Sequence, residues 1–262
     1  MKGSEKVNAR HRFLKKYVIS TEIYKDRLDN FFESNDSVSD CKVVMGINAQ
    51  KIVKDAAAAE EIAAHTSNAT LWPIGSICCG LAHLQIMREC LESNEPVTIF
   101  EDDAILVSNF DIKSKALLEQ IGNDWDLIQW GFNWDSFLYI RFPQKNGSII
   151  KIQAISEIEK LNLDAFKDSG QASVLFPLVT SFGMHAYSIS PKGAKKILEK
   201  YPTVTDLFVN NMNLLGNGHG YWSLSLDMVL NSFYDSNNCF ISFPPLSYSA
   251  NDKQASAIWN PK

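Results

Sequence analysis

The sequence predicts an α/β fold: one mostly parallel central sheet with helices on both faces. Strand-like and helix-like segments alternate from Tyr17 to Leu106, and such alternation lays strands side by side with helices packed over them. The chain has 262 residues, 45% of them apolar, enough to bury the core of one large domain. Three consecutive carboxylates, Glu101, Asp102 and Asp103, end the most strand-like run, and ligands of open α/β sheets sit outside the carboxyl ends of strands.

Taken in order, Tyr17 to Ser20 reads as a first strand, and Glu22 to Phe32 as a helix whose Ile23, Leu28, Phe31 and Phe32 share a face. Cys41 to Met45 is a second strand ended by Gly46, followed by an Ala-rich helix over Lys51 to His65. Gly75 opens a further helix on which Leu81, Leu84, Met87, Arg88 and Leu91 keep i, i+3, i+4 spacing. Val97 to Phe100 is the strand that delivers the acids, and Asp126 to Gly131 is another. Asn133 to Asp168 lacks strong periodicity despite Trp134, Phe137, Tyr139 and Phe142; a stretch this long reads as a lid or acceptor loop, or equally as an inserted hairpin. Phe182 to Ser190 is strand-like, and Pro191 to Lys200 is a helix with Pro in its first turn, closed by Pro202. Ser225 to Asn231 starts a short helix, and Phe240 to Tyr248, carrying Pro244 and Pro245, reads as an edge-like tail. Neither a repeat nor a linker divides the chain.

Adjacent carboxylates repel, so placing three where a buried strand surfaces is costly unless a divalent cation or a polyhydroxyl ligand takes up the charge. Oxygen donors of this hardness suit Mn²⁺ or Mg²⁺ rather than Zn²⁺, and such ions commonly bridge carboxylates and nucleotide phosphates. A diphosphate site follows, with a solvated acidic turn as the plain alternative. The net charge of −5 offers no basic face for nucleic acid. Residues 1–16 are the exception: Lys2, Lys6, Arg10, Arg12, Lys15 and Lys16 stand against Glu5. This flexible arm either is attracted to an anionic membrane surface or merely solubilises. Five cysteines, an odd number without zinc-finger spacing, read as reduced thiols. No apolar run reaches membrane-spanning length and no signal-peptide core is present, so a cytoplasmic location is expected, with the arm allowing peripheral attachment at the inner face of a membrane.

Four segments resemble glycosyltransferase family 25, the lipopolysaccharide and lipooligosaccharide glycosyltransferases related to procollagen galactosyltransferases. They are Gly75-Ser-Ile-Cys-Cys-Gly-Leu-Ala-His-Leu84, Ile99-Phe-Glu-Asp-Asp-Ala104, Tyr187-Ser-Ile-Ser-Pro-Lys-Gly-Ala194 and Leu226-Asp227, matching the family's blocks in order and spacing. Departures fall at Ser20-Thr21, at Gly46-Ile-Asn48-Ala49, at Ser76 in place of Glu and at Ala82 in place of Ser, in segments the resemblance implies line the donor and acceptor sites.

What the resemblance implies is a GT-A type fold, a Rossmann-like donor half (about 17–131) merging into an acceptor half (about 132–262) within one domain, 17–262. It also implies Mn²⁺ at the acids and inverting transfer of a hexose, commonly galactose, from a UDP-sugar to a saccharide or glycolipid acceptor of a surface glycan. In this reading Asp103 coordinates the metal, Glu101 meets the ribose hydroxyls or the metal shell, and Asp102 supports the loop. Ser20, Arg27 and Asn48 belong to the donor side, Arg27 pairing with diphosphate, a neighbouring acid or nothing of consequence. Asp227 is the general base or simply a helix cap. His185 is the alternative base, and either it or His219 completes the metal shell. His83 reads as a core histidine, Lys192, Lys195 and Lys196 as a solvated helix face, and Trp134, Phe137 and Tyr139 as acceptor-stacking or core rings. Two rivals stand beside the transferase: a metal-dependent phosphodiesterase or hydrolase, which calls for more metal ligands than this chain advertises, and a glycan-binding protein that kept the fold without the chemistry.

Overall fold

The computed structural model describes residues 14–48, 69–142, 146–153, 163–170, 172–210 and 220–249, together with 52, 59, 60, 62 and 63. Its strands are β1 (Lys15–Ser20), β2 (Lys42–Met45), β3 (Val97–Glu101), β4 (Ala104–Leu106), β5 (Leu127–Gln129), β6 (Phe137–Phe142), β7 (Ser148–Gln153), β8 (Val174–Thr180), β9 (Ala186–Ile189), β10 (Phe208–Val209), β11 (Tyr221–Trp222), β12 (Cys239–Phe243) and β13 (Ser247–Ser249). The helices are α1 (Lys25–Ser34), α2 (Ile74–Ser93), α3 (Phe110–Ile121), α4 (Leu163–Lys167), α5 (Pro191–Lys200) and α6 (Leu226–Leu230). Positions 52, 59, 60, 62 and 63 are helical; the rest of the helix expected over Lys51 to His65 lies outside the described residues.

Nine strands form one sheet in the order β2-β1-β3-β9-β5-β12-β8-β6-β7. Only β1 with β2, β1 with β3, and β5 with β12 pair in parallel; the other five contacts are antiparallel. The expectation of a mostly parallel sheet is therefore corrected to a mixed one. The reason is physical: a strand buried on both faces has the same apolar pattern in either direction, so periodicity cannot orient it.

Alternation along the strands feeds two separate cores. Tyr17, Ile19, Val97, Ile99, Leu127, Tyr187 and Ile189 pack on one face with Leu84, Ile86 and Met87 of α2 and with Ala194 and Ile197 of α5. Val18, Phe100, Ile128 and Ala186 pack on the other with Phe31 of α1 and with Phe110, Leu117 and Leu118 of α3. Helices thus cover both faces, as expected, and each fully buried aliphatic side chain contributes roughly 1.5–3 kcal/mol.

Two more expectations are resolved or corrected. Within Asn133 to Asp168 the described residues include an antiparallel hairpin, β6 with β7, added to the sheet through β8, so the inserted-hairpin reading holds for that part. The edge-like tail is wrong for its first half: β12 is interior, bonded to β5 on one side and β8 on the other, and the two prolines follow it. The rest of that segment, β13, pairs with β4 and sets Ser249 opposite Ala104.

The start of α5 shows why Ser-Pro-Lys-Gly stands there. Ser190 Oγ accepts from Gly193 N at 3.0 Å with Pro191 in the first turn. A Cβ on Gly193 would lie 2.0 Å from the Asp126 carbonyl oxygen, so only glycine lets this helix rest on the start of β5. Lys192 and Lys196 are not a merely solvated face. Lys196 Nζ lies 2.7 Å and Lys192 Nζ 3.5 Å from the fully buried carboxylate of Asp126; Lys195 pairs with exposed Glu199, at 3.8 Å.

Candidate active site

The carboxyl ends of β1, β2 and β3 and the beginning of β9, which runs the other way, share one edge of the sheet. There the backbone of the acidic triplet is pinned from both sides. Glu101 N donates to the His185 carbonyl at 2.9 Å and Asp102 N to the Ile19 carbonyl at 3.1 Å. Strand parity then sorts the side chains. Glu101 continues the series Val97, Ile99 toward α2, where His83 Nε2 lies 3.2 Å from its Oε1. Asp102 follows Phe100 to the opposite face, where Arg27 Nη2 of α1 lies 2.6 Å from Oδ1 and Ser20 Oγ donates to Oδ2 at 2.7 Å.

Exposure separates the three acids. The Asp102 side chain is 8% exposed, against 27% for Glu101 and 33% for Asp103. Asp102 is therefore enclosed by Ser20 and Arg27, while its two neighbours open to solvent. Asp103 Oδ2 accepts from Ser249 Oγ at 3.0 Å and lies 3.5 Å from Arg27, and its Oδ1 is buried without a hydrogen-bond partner among the described residues. Arg27 also stacks 5.2 Å over the Tyr24 ring.

Charge is not balanced here. Burial pushes the Asp102 carboxyl up to about 6, with Arg27 and Ser20 offsetting part of the rise. Burial and then the charge of Glu101 raise Asp103. For Glu101, burial pushes upward, but the His83 hydrogen bond, with the Arg27 charge nearby, outweighs it and holds the carboxyl below its ordinary value. His185, 2% exposed, is lowered by burial against the pull of Asp103 and Glu101, which leaves a neutral imidazole. The Ser247 carbonyl is near enough to attract its proton, yet neither ring nitrogen completes a well-directed hydrogen bond. A Cβ on Gly131 would lie 2.4 Å from His185 Nε2, so the glycine makes room for the ring.

Asp227 stands in the first turn of α6 but reaches outward. Its Oδ2 accepts from Gly183 N at 2.8 Å and its Oδ1 from Ser225 Oγ, while Ser225 makes no capping bond. Asp227 thereby ties α6 to the segment that leads to His185. Gly183 is held at φ 86°, and a Cβ there would meet Asn133 Oδ1 at 2.2 Å. The thiol of Cys79 is raised well above its ordinary value by burial and then by Glu101, Asp227, Asp103 and Asp102, so all four carboxylates act on one locality.

Most of the expected residues thus converge. Ser20, Arg27, Glu101, Asp102, Asp103 and His185 meet directly, Asp227 borders them, and Asn48 follows β2 on the same edge. His219 lies outside the described residues. Ser76 and Ala82 are 3% and 4% exposed on α2, packed inside the helix layer. Sequence reasoning missed His83 as a site residue: it is buried, yet it reaches Glu101, and Cys79, His83 and Glu101 bring their donor atoms within 4.8 Å of one another. The i, i+4 spacing of Cys79 and His83 on a helix was the available signal. A groove lined by Lys16, Pro96, Thr98, Phe110 and Trp125 lies at the opposite, amino ends of β1 and β3, away from this chemistry.

The sequence profile of Glycosyltransferase family 25 (LPS biosynthesis protein) matches residues 13–212. The chain belongs to glycosyltransferase family 25. It is an enzyme that transfers a sugar from a donor to a saccharide acceptor, in a family described by lipopolysaccharide biosynthesis. The matched span holds the acidic triplet, His83 and His185; Asp227 lies beyond it. Comparison with curated proteins gave no match. Among the described residues no helix is long and apolar enough to cross a membrane.

Proposed function

We propose that this family-25 glycosyltransferase is of GT-A type and is inverting and divalent-cation dependent, moving a hexose, galactose by family resemblance, from a UDP-sugar to a saccharide or glycolipid acceptor. The observation that carries the reading is the partnerless, buried Oδ1 of Asp103 beside the open Glu101. Three carboxylates face one guanidinium there, and hard oxygen donors with uncompensated charge fit Mn²⁺ or Mg²⁺. Asp103 and Glu101 would hold the ion, which when bound offsets the charge of the departing diphosphate.

The chain's own residues do the rest. Asp102, locked by Arg27 and Ser20, keeps the triplet's backbone in place, and Asn48 and Arg27 border the donor. The donor half, about 17–131, supplies these groups, and the acceptor half, about 132–262, supplies the base. Asp227 takes the proton of the acceptor hydroxyl as it attacks the anomeric carbon from the side opposite the diphosphate, which inverts that centre. The hydrogen bonds from Gly183 and Ser225 orient its carboxylate and leave lone pairs for that proton. His185 is the second candidate, being neutral with neither ring nitrogen in a well-directed hydrogen bond among the described residues, although it is more deeply buried than Asp227. A glycolipid acceptor places the enzyme at the inner face of a membrane, where Lys2, Lys6, Arg10 and Arg12 add attraction to anionic lipid; Lys15 and Lys16, expected in the same arm, instead begin β1 and pair with Glu95 and with Asp40 and Asp111.

A thermal-shift panel of nucleotides and nucleotide sugars with Mn²⁺ or with EDTA tests the reading. UDP or a UDP-sugar at 100 times its Kd stabilises by about 2.7 kcal/mol, and that shift is expected with Mn²⁺ and lost with EDTA. Equal shifts in both conditions, or none with any nucleotide, refute it.

A further inference from the structure

The transfer reading leaves His83 without a task. It sits within α2, 1% exposed, on the face that packs against the sheet. A buried polar ring must find partners, and here each nitrogen has one: Nδ1 lies 3.0 Å from the Tyr187 hydroxyl and Nε2 lies 3.2 Å from Glu101 Oε1. Tyr187 is itself fully buried, on β9 beside β3. An ionised carboxylate can only accept, whereas a phenol at neutral pH keeps a proton to give. For a neutral imidazole one arrangement satisfies both contacts: the Tyr187 O–H donates to Nδ1, and Nε2–H donates to Glu101. The three groups stand on three packed elements, β9, α2 and β3, so the rotamer of Glu101 is set from the interior.

The geometry points to His83 as a positioning residue: a Tyr187–His83–Glu101 chain fixes the tautomer of His83 and holds one oxygen of Glu101, leaving the other for the donor. This rests on the reading that Glu101 meets the donor nucleotide. The role differs from metal coordination by His83, since the Nε2 lone pair a metal needs is occupied by a proton. A histidine here supplies what an apolar residue in the same space would not: hydrogen bonds to a charged carboxylate are the strong ones, and they fix orientation along with energy.

Two measurements on the intact protein test the chain. Long-range ¹H–¹⁵N correlation at pH 7.5 should show His83 as a single Nε2–H tautomer, with loss of that preference in Glu101→Ala. An Nδ1–H tautomer in the parent, or an unchanged preference in Glu101→Ala, overturns the proposal. Calorimetry of UDP with Mn²⁺ supplies the second arm. His83→Leu should weaken binding about tenfold, the loss of one charged hydrogen bond. His83→Gln, whose amide can still donate to Glu101, should stay within about threefold. In a Glu101→Gln background both changes should add almost nothing, because the route runs through that carboxylate. Equal losses for Leu and Gln, or losses that add in full, overturn it. If His83→Leu does not fold, Tyr187→Phe keeps the ring and carries the same test, with weaker binding expected and unchanged binding counting against. Should Glu101→Gln alone leave UDP affinity untouched, the donor-site reading fails, and the tautomer result still decides whether the chain exists.

Discussion

Replacing Asp102 by Asn converts a charge imbalance seen in the structure into a measurable dependence on pH. The Asp102 side chain is 8% exposed, with Arg27 at 2.6 Å and Ser20 at 2.7 Å, and burial still drives its carboxyl from 3.8 up to about 6. A folded-state value raised above the unfolded one contributes stability that is fully present below about pH 4 and is lost as pH rises through about 6. Between pH 4.5 and pH 8 the shift amounts to roughly 2 kcal/mol drained from the parent. An asparagine keeps the shape, can accept from Arg27 and donate to Ser20 Oγ, and does not titrate. In EDTA, the difference in unfolding free energy between Asp102→Asn and the parent should therefore move by about 2 kcal/mol in favour of the variant over that range. Urea unfolding of both proteins at the two pH values measures it. A difference that is the same at both, or that moves toward the parent as pH rises, refutes the claim that Asp102 is held against its own charge.

Asp227→Asn should retain Mn²⁺-dependent UDP affinity while the chemical step falls by about 10²- to 10⁴-fold; turnover near the parental rate shifts the base to His185. Gly183→Ala forces a side chain into the left-handed region and onto Asn133, and should lose roughly 1–3 kcal/mol from backbone strain alone, read by thermal unfolding. Lys196→Met leaves the buried Asp126 with Lys192 at 3.5 Å and should cost about 1–3 kcal/mol in urea unfolding. Lys192→Met should cost less, because its nearest partner is the exposed Asp124.

The alternation of apolar runs made the early strands and α2, α5 and α6 legible, since 2.0 and 3.6 periodicities survive in sequence whatever the tertiary context. Strand direction was not legible, and β9 came out antiparallel between β3 and β5. The placement of β12 was misread because Pro244 and Pro245 were charged to the strand, whereas they follow it and break no ladder bond. For the site, Glu101 to Asp103 announced themselves as adjacent like charges at a strand end. The partition among them needed coordinates: parity sends Glu101 to His83 and Asp102 to Arg27, and Ser249 arrives at Asp103 from about 146 residues away through the pairing of β13 with β4. His83 looked like core because it is core; only the Tyr187 and Glu101 contacts reveal its second role. Lys192 and Lys196 read as surface because their partner, Asp126, lies far away in the chain, just before β5.

The most direct test of the central claim is anomalous diffraction at the manganese edge from crystals grown with Mn²⁺ and UDP. The expected result is a single strong peak at bonding distance from Asp103 Oδ1, next to Glu101, with the diphosphate on its far side. A bound UDP with no manganese between it and Asp103, or a manganese peak away from the triplet, contradicts the account.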